Sequence, residues 1–99
     1  MLEINEMTRH TITIDFSDEN DAPVIPASFS YRVEEPVAVT QIIATTTVTP
    51  VGSSYQLVIP AISNKCAGLK DELRRVTVVA SGLAASEYIY KLRRLKGVS

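Results

Sequence analysis

Residues 75–80 and 87–92 both alternate apolar and polar side chains, and Ser81-Gly82 opens the short gap between them. A period of two buries one side of an extended strand and wets the other, whereas the same period on a helix would spread the apolar groups around its whole surface. The pair therefore predicts an antiparallel hairpin. Val76, Val78 and Ala80 on the first strand and Tyr88, Tyr90 and Leu92 on the second form its inward face. Val79 and Ile89 are apolar but fall on the opposite side, together with Lys91 and Arg93. These four are the candidate partner contacts.

Three more stretches carry the same period. Ile12, Ile14 and Phe16 share one side of residues 11–16. Ala27, Phe29, Tyr31 and Val33 share one side of residues 27–33, and Tyr55, Leu57 and Ile59 one side of residues 54–59. Residues 37–48 are rich in threonine and β-branched side chains, which favours a strand. Two registers fit them: Val39, Gln41 and Ile43 inward, or Thr40, Ile42 and Ala44 inward, the pattern of a bulge or of a strand that switches sheets. Pro23, Pro26, Glu34-Glu35-Pro36 and residues 50–53 break the pattern between strands. Ile62, Cys66 and Leu69 fall at helical spacing and predict a short helical turn near residues 62–70, capping one end. Residues 1–8 have no clear period and read as an N-terminal arm. The expectation is an all-β chain: one immunoglobulin- or fibronectin-III-like sandwich of six to seven antiparallel strands over residues 9–99, with turns about every ten residues. A chain of 99 residues leaves room for one core.

Composition narrows the class. With 45% hydrophobic and 21% charged residues the chain is in the globular range, and its apolar runs are too short for a membrane helix. The first residues are acidic and lack the apolar stretch of a secretory leader. A single cysteine, Cys66, forms no internal disulfide and suits a reducing cytoplasm. The net charge of −1 hides an asymmetry: residues 1–50 carry eight acids and two bases, residues 51–99 eight bases and three acids. The halves are read as neutralising each other in space, with head-to-tail contact between copies as a further reading. Lys70, Arg74, Lys91, Arg93 and Lys96 would make a basic stripe, but no exposed aromatics interleave with them, so no nucleic-acid partner is expected.

Catalytic patterns are missing from the sequence. His10, the lone histidine, precedes a strand and reads as exposed and idle. Cys66 reads as a small buried apolar group. Glu34 and Glu35 are adjacent on a strand and point to opposite faces, so they do not form an acid–base pair. Residues 18–23, Asp-Glu-Asn-Asp-Ala-Pro, resemble the calcium-binding linker of cadherins, but one asparagine is missing and the motif follows the first strand instead of joining two domains. It reads as a solvated loop. The chain is expected to be no enzyme and to need no cofactor and no metal.

The order of segments resembles a specific family. An early strand and an Asp-Glu-Asn loop lead into Pro26-Ala27-Ser28-Phe29-Ser30-Tyr31-Arg32-Val33-Glu34 and a Thr/Val-rich stretch. Tyr55-Gln56-Leu57-Val58-Ile59-Pro60 follows, then Glu72-Leu73-Arg74-Arg75-Val76-Thr77-Val78, Glu87-Tyr88-Ile89-Tyr90 and Leu95-Lys96-Gly97-Val98. Over residues 9–98 this resembles the small immunoglobulin-like proteins encoded among the virion-structure genes of tailed bacteriophages and prophages. The chain departs from them in lacking a tryptophan in the third strand. The resemblance implies a virion structural protein at the head-tail connection, in the tail or decorating the capsid, assembled in the bacterial host cytoplasm. Its partners would be other virion proteins, in a homo-oligomer or many copies per particle, with no nucleic acid and no membrane. The alternative is an immunoglobulin-like adhesion module for a host-surface glycan or protein. The family implies no catalytic residues. If the two hairpin faces are as read, Tyr90→Ala costs about 3–5 kcal/mol in urea unfolding, while Ile89→Asp leaves the domain folded; an unfolded Ile89→Asp variant would show the faces reversed.

Overall fold

The computed structural model describes residues 2–37, 39–66, 70–83 and 85–94. They form seven strands: β1 (Leu2–Asn5), β2 (His10–Asp15), β3 (Phe29–Glu35), β4 (Thr40–Val48), β5 (Ser54–Ile59), β6 (Glu72–Ala80) and β7 (Ser86–Arg93). A 3-10 turn occupies Ala61–Ser63. One sheet has the order β1-β7-β6-β3-β4, and the other consists of β2 and β5. Neighbours β7-β6-β3-β4 reproduce the G-F-C-C′ order of a variable-type immunoglobulin domain, and β2-β5 reproduce its B-E pair. The expected sandwich class is the observed one, with the small sheet reduced to two strands.

The inward residues of the closing hairpin lie where the alternation put them. Val76, Ala80, Tyr90 and Leu92 are buried, and Val78 and Tyr88 are half-buried. All but Ala80 meet Val33 of β3 and Leu57 and Ile59 of β5 in the main core. A second cluster, Phe16, Phe29 and Ala80, closes the end where residues 16–28 cross between sheets. Its rings pack 5.1 Å apart for Phe16 and Phe29 and 5.0 Å apart for Phe29 and Tyr55. The five-residue connection of the hairpin turns at Gly82, whose φ of 76° carries no Cβ penalty in glycine.

Four expectations are corrected. The stretch read as an arm contains β1, which pairs with β7 in parallel, Leu2 beside Tyr90 and Ile4 beside Leu92. Four residues are too few to display a period, and the edge of β7 supplies the order. The large sheet is consequently mixed, not wholly antiparallel. Ala27 is exposed because β3 begins only at Phe29. Among the described residues the helical turn spans Ala61–Ser63, and Ile62 is 68% exposed and does not share a buried face with Cys66; Leu69 lies outside the described residues. The two-register problem of residues 37–48 has a structural answer. Between Tyr31↔Thr46 and Glu34↔Gln41 the β3–β4 pairing shifts twice. Three steps along β3 are thus matched by five along β4, so Ile42 and Ile43, although adjacent, are both packed against the core.

At the other end of the sandwich the chain crosses between sheets twice, through residues 6–9 and residues 60–71. Both crossings meet at Asn64, which is fully buried. Its side-chain amide donates to the Thr8 carbonyl at 2.8 Å, its Oδ1 accepts the Tyr90 hydroxyl at 2.6 Å, and its carbonyl accepts the Met7 N–H at 2.6 Å. Met7 holds a left-handed φ of 61°, a conformation a side-chain-bearing residue keeps only when its surroundings fix it. Beside this node lies Arg74, 1% exposed. Its guanidinium donates to the carbonyls of Ser63, Lys65 and Leu73 and to the Glu72 carboxylate at 2.9 Å. A buried cation is tolerable only with such saturation. Asn64→Ala removes the partners of the Tyr90 hydroxyl and the Thr8 carbonyl together, and is expected to cost about 2–4 kcal/mol in urea unfolding; a loss below about 0.5 kcal/mol would show that the node is dispensable.

Candidate functional site

The two-stranded sheet is too narrow to cover the five-stranded one. Along the outer side of β2 a cleft of about 820 Å³ remains open between the sheets. Ile12 and Ile14 of β2, with Phe16 just after it, form one wall, and Val76, Val78 and Tyr88 belong to the other. Alternation places these groups: even-numbered residues of β2 and β6 point into the sandwich. Leu83 of the hairpin connection closes one end. Asp18 and Glu19 are acidic lining residues at one end, Asp15 and Glu87 border the cleft from strand positions whose side chains turn outward, and among the described residues no lysine or arginine lines it. Asp18 also shapes its own loop, its Oδ1 accepting the N–H groups of Asn20 and Ala22 at 2.8 and 3.0 Å. That gives the acidic loop a local structural role of the Asx-turn type.

The four candidate contacts from the sequence are strand residues on the outer side of the large sheet. Val79 is 43% and Ile89 38% exposed, as an outward position requires. They do not form one patch: Ile89 pairs with Arg75, whereas Val79 lies four residues further along β6, with the Thr77–Glu87 pair between. Lys91 is engaged with Glu3 and Asp71, each at 3.7 Å, and Arg93 is exposed. On the same face Arg75 and Arg32 converge on Glu34, at 2.9 and 3.5 Å, and the Arg75 hydrogen bond holds the Glu34 carboxyl below its ordinary value. The acidic and basic halves of the sequence thus do meet in space, through Glu34 with Arg75 and Glu3 with Lys91. Arg74, which a basic stripe would need, faces inward and is buried. Lys96 lies outside the described residues.

His10 is not the exposed group expected from the sequence. It opens β2, is half-buried, and packs on Tyr90 and Tyr88 with ring centroids 4.8 and 6.1 Å apart. Its Nε2 lies 3.5 Å from the Tyr88 hydroxyl. Loss of water lowers the imidazole below its ordinary value, and burial raises the Tyr90 hydroxyl to about 12. Cys66 is buried, as expected; burial and the nearby Glu6 and Glu72 carboxylates push its thiol up, away from the nucleophilic thiolate. Its N–H is held by the Glu6 carboxylate at 3.1 Å. Among the described residues no cluster of three or more His, Cys, Asp or Glu is arranged to hold a metal, and no helix is long and apolar enough to cross a membrane. The cleft was not anticipated from the sequence, because alternation assigns a face to each strand but does not say how many strands each sheet holds.

No protein-family model, curated protein or solved structure matches the chain.

The His10 environment sets a pH dependence. In the unfolded chain its imidazole takes up a proton near its ordinary 6.5, while in the folded protein it resists to lower pH. The stabilisation is complete above the unfolded value and is lost as pH falls through the folded one. The Glu34 contribution begins to fade only below that group's ordinary 4.5, so the two declines begin at different pH. The urea midpoint should be flat from about pH 8 to about pH 7 and decline from about pH 6.5 downward. His10→Phe, which keeps the ring contacts, should flatten that decline; an unchanged slope in the variant would assign it to other groups.

Proposed function

We propose that this chain is a non-enzymatic structural component of a tailed-phage virion, acting at the head-tail connection, in the tail or on the capsid through contacts with other virion proteins. One observation carries the reading. The polar groups with chemical potential, Asn64, Tyr90, Arg74, Cys66 and His10, are committed to the interior of the sandwich. What remains accessible is an outer sheet face with charged residues and separate apolar ones, and a strand edge beside an apolar cleft. Surfaces of that kind join proteins. The segment order that resembles small immunoglobulin-like virion proteins falls on β3, β5, β6 and β7, and its assembly site would be the bacterial host cytoplasm.

Glycan adhesion draws less support from the geometry. Sugars stack on exposed aromatic faces, and Phe16, Phe29 and Tyr90 are buried while Tyr31, Tyr55 and Tyr88 are half-buried. The decisive measurement is mass spectrometry of particles purified from a producing host. The chain is expected in the particle fraction at a fixed ratio to other structural proteins. Recovery only from the soluble fraction, with none in washed particles, would remove the virion assignment.

A further inference from the structure

β2 hydrogen-bonds to β5 alone among the described residues. The Phe16 N–H donates to the Ser53 carbonyl, in phase with the ladder that pairs Ile14 with Tyr55 and Ile12 with Leu57. In an antiparallel pair every second residue directs both backbone groups to its partner. The even-numbered residues of β2 therefore face β5, and Thr11, Thr13 and Asp15 turn their N–H and C=O groups to the open side. The other edges near this core are managed. β1 covers β7, and β4 is bulged twice. β2 has no proline, lysine or bulge along its six residues, the devices that usually blunt an edge.

The cleft lies directly beside this edge, in the place that strand A takes in a complete immunoglobulin sandwich. On the β4 side of the sandwich, Ile42 and Ile43 pack against the main core cluster. A strand laid along β2 would direct alternate side chains toward Val76, Val78 and Tyr88, where the lining is apolar, and the remaining side chains toward the mouth. Asp18 and Glu19 stand at one end of the cleft, and Asp15 presents its carboxylate on the outer face of β2, where the Ser54 hydroxyl donates to it at 2.8 Å and where the outward side chains of an added strand would lie. Among the described residues no basic side chain lines the cleft, so the complementary residues are Lys or Arg. β2 spans about 20 Å, which matches a segment of about six residues.

We propose that the cleft beside β2 receives an extended basic segment of a partner protein, with apolar residues at alternate positions, as a third strand of the small sheet. This rests on the reading of the chain as a protein-contact module and names where one such contact is made. Backbone pairing to Thr11, Thr13 and Asp15 supplies affinity, the apolar floor fixes the register, and the carboxylates select the charge.

The test is a titration of the isotope-labelled full chain with a capped peptide alternating lysine and valine and matched in length to β2, followed by amide NMR and hydrogen exchange. Saturable shifts along the cleft are expected, with new exchange protection at Thr11, Thr13 and Asp15 and weaker binding at higher salt. Thr13→Pro removes an open-edge donor without touching the β2–β5 ladder and should abolish the protection. Glu19→Lys, on an exposed residue at the end of the cleft, should weaken binding about two- to fivefold. Equal binding of a glutamate–valine peptide would overturn the charge argument. Shifts on the cleft floor with no new protection on β2 would make the cleft a small-ligand pocket and overturn the strand. Protection of β2 that grows with protein concentration in the absence of peptide would give the site to a second copy of this chain, and also overturn the proposal. A chain found in particles that ignores the peptide keeps its structural role and loses only this site.

Discussion

The fixed point of this structure is the hydrogen-bonded node around Asn64. An apolar core attracts two sheets without specifying how they sit on one another, because burial is non-directional. Asn64 supplies direction. It joins the chain leaving β1, the loop leaving β5 and the Tyr90 hydroxyl of β7 through bonds of 2.6 to 2.8 Å. Arg74 completes the arrangement by satisfying the carbonyls of Ser63 and Lys65, at and just after the short 3-10 turn, and that of Leu73 in its own strand. Satisfied in full, such a network rigidifies a corner; stripped of one member, it leaves buried groups without partners. The left-handed Met7 and the strand status of residues 2–5 both depend on it, since the chain must bend sharply there to pass from one sheet to the other.

Fixing the sheets at that corner has a consequence at the other end. Two strands lie against five, so cover is complete over Val33, Leu57, Ile59, Tyr90 and Leu92 and thins toward Val78, Leu83 and Tyr88. The aromatic cluster of Phe16, Phe29 and Tyr55 closes the sandwich on one side of the gap. The cleft is therefore a product of strand number, not of a poorly packed core. The same strand count leaves β2 with one unpaired side, which is why apolar lining and free backbone groups coincide.

Much of the fold was legible because alternation is a local property. Ile12, Ile14, Tyr55, Leu57, Val76 and Tyr90 each reveal their face through the residues on either side. The failures occur where local pattern and tertiary context part. Ile62 and Cys66 matched a helical period by chance in a loop whose course is set by Asn64 and Arg74, polar residues that a hydrophobic pattern ignores. Arg74 resembled a surface cation because charge alone says nothing of burial; its even position, in step with Val76 and Val78, was the available signal. His10 offered the same signal, lying in phase with Ile12 and Ile14. Two bulges scrambled the period of β4, and β1 was too short to have one. The cleft was invisible for a different reason. Strand count per sheet is a property of the assembled topology, which no single window of sequence contains.

Charge placement separates the two accessible surfaces by the physics of their response to salt. On the outer face, Glu34 and Glu3 already have cationic neighbours in Arg75 and Lys91. Such neighbours cancel one another's field within a few ångströms, so that face projects little net potential. Around the cleft, Asp15 at the β2 edge and Asp18 and Glu19 in the following loop gather with no basic residue lining it among the described residues. Their potential adds in a concave site, where apolar walls exclude water and focus the field. At physiological ionic strength it fades over about 8 Å, enough to select a segment entering the cleft and too short to draw partners from a distance. A net charge of −1 thus describes neither surface. Contacts on the outer face would depend mainly on shape, and contacts in the cleft on shape, strand pairing and charge together.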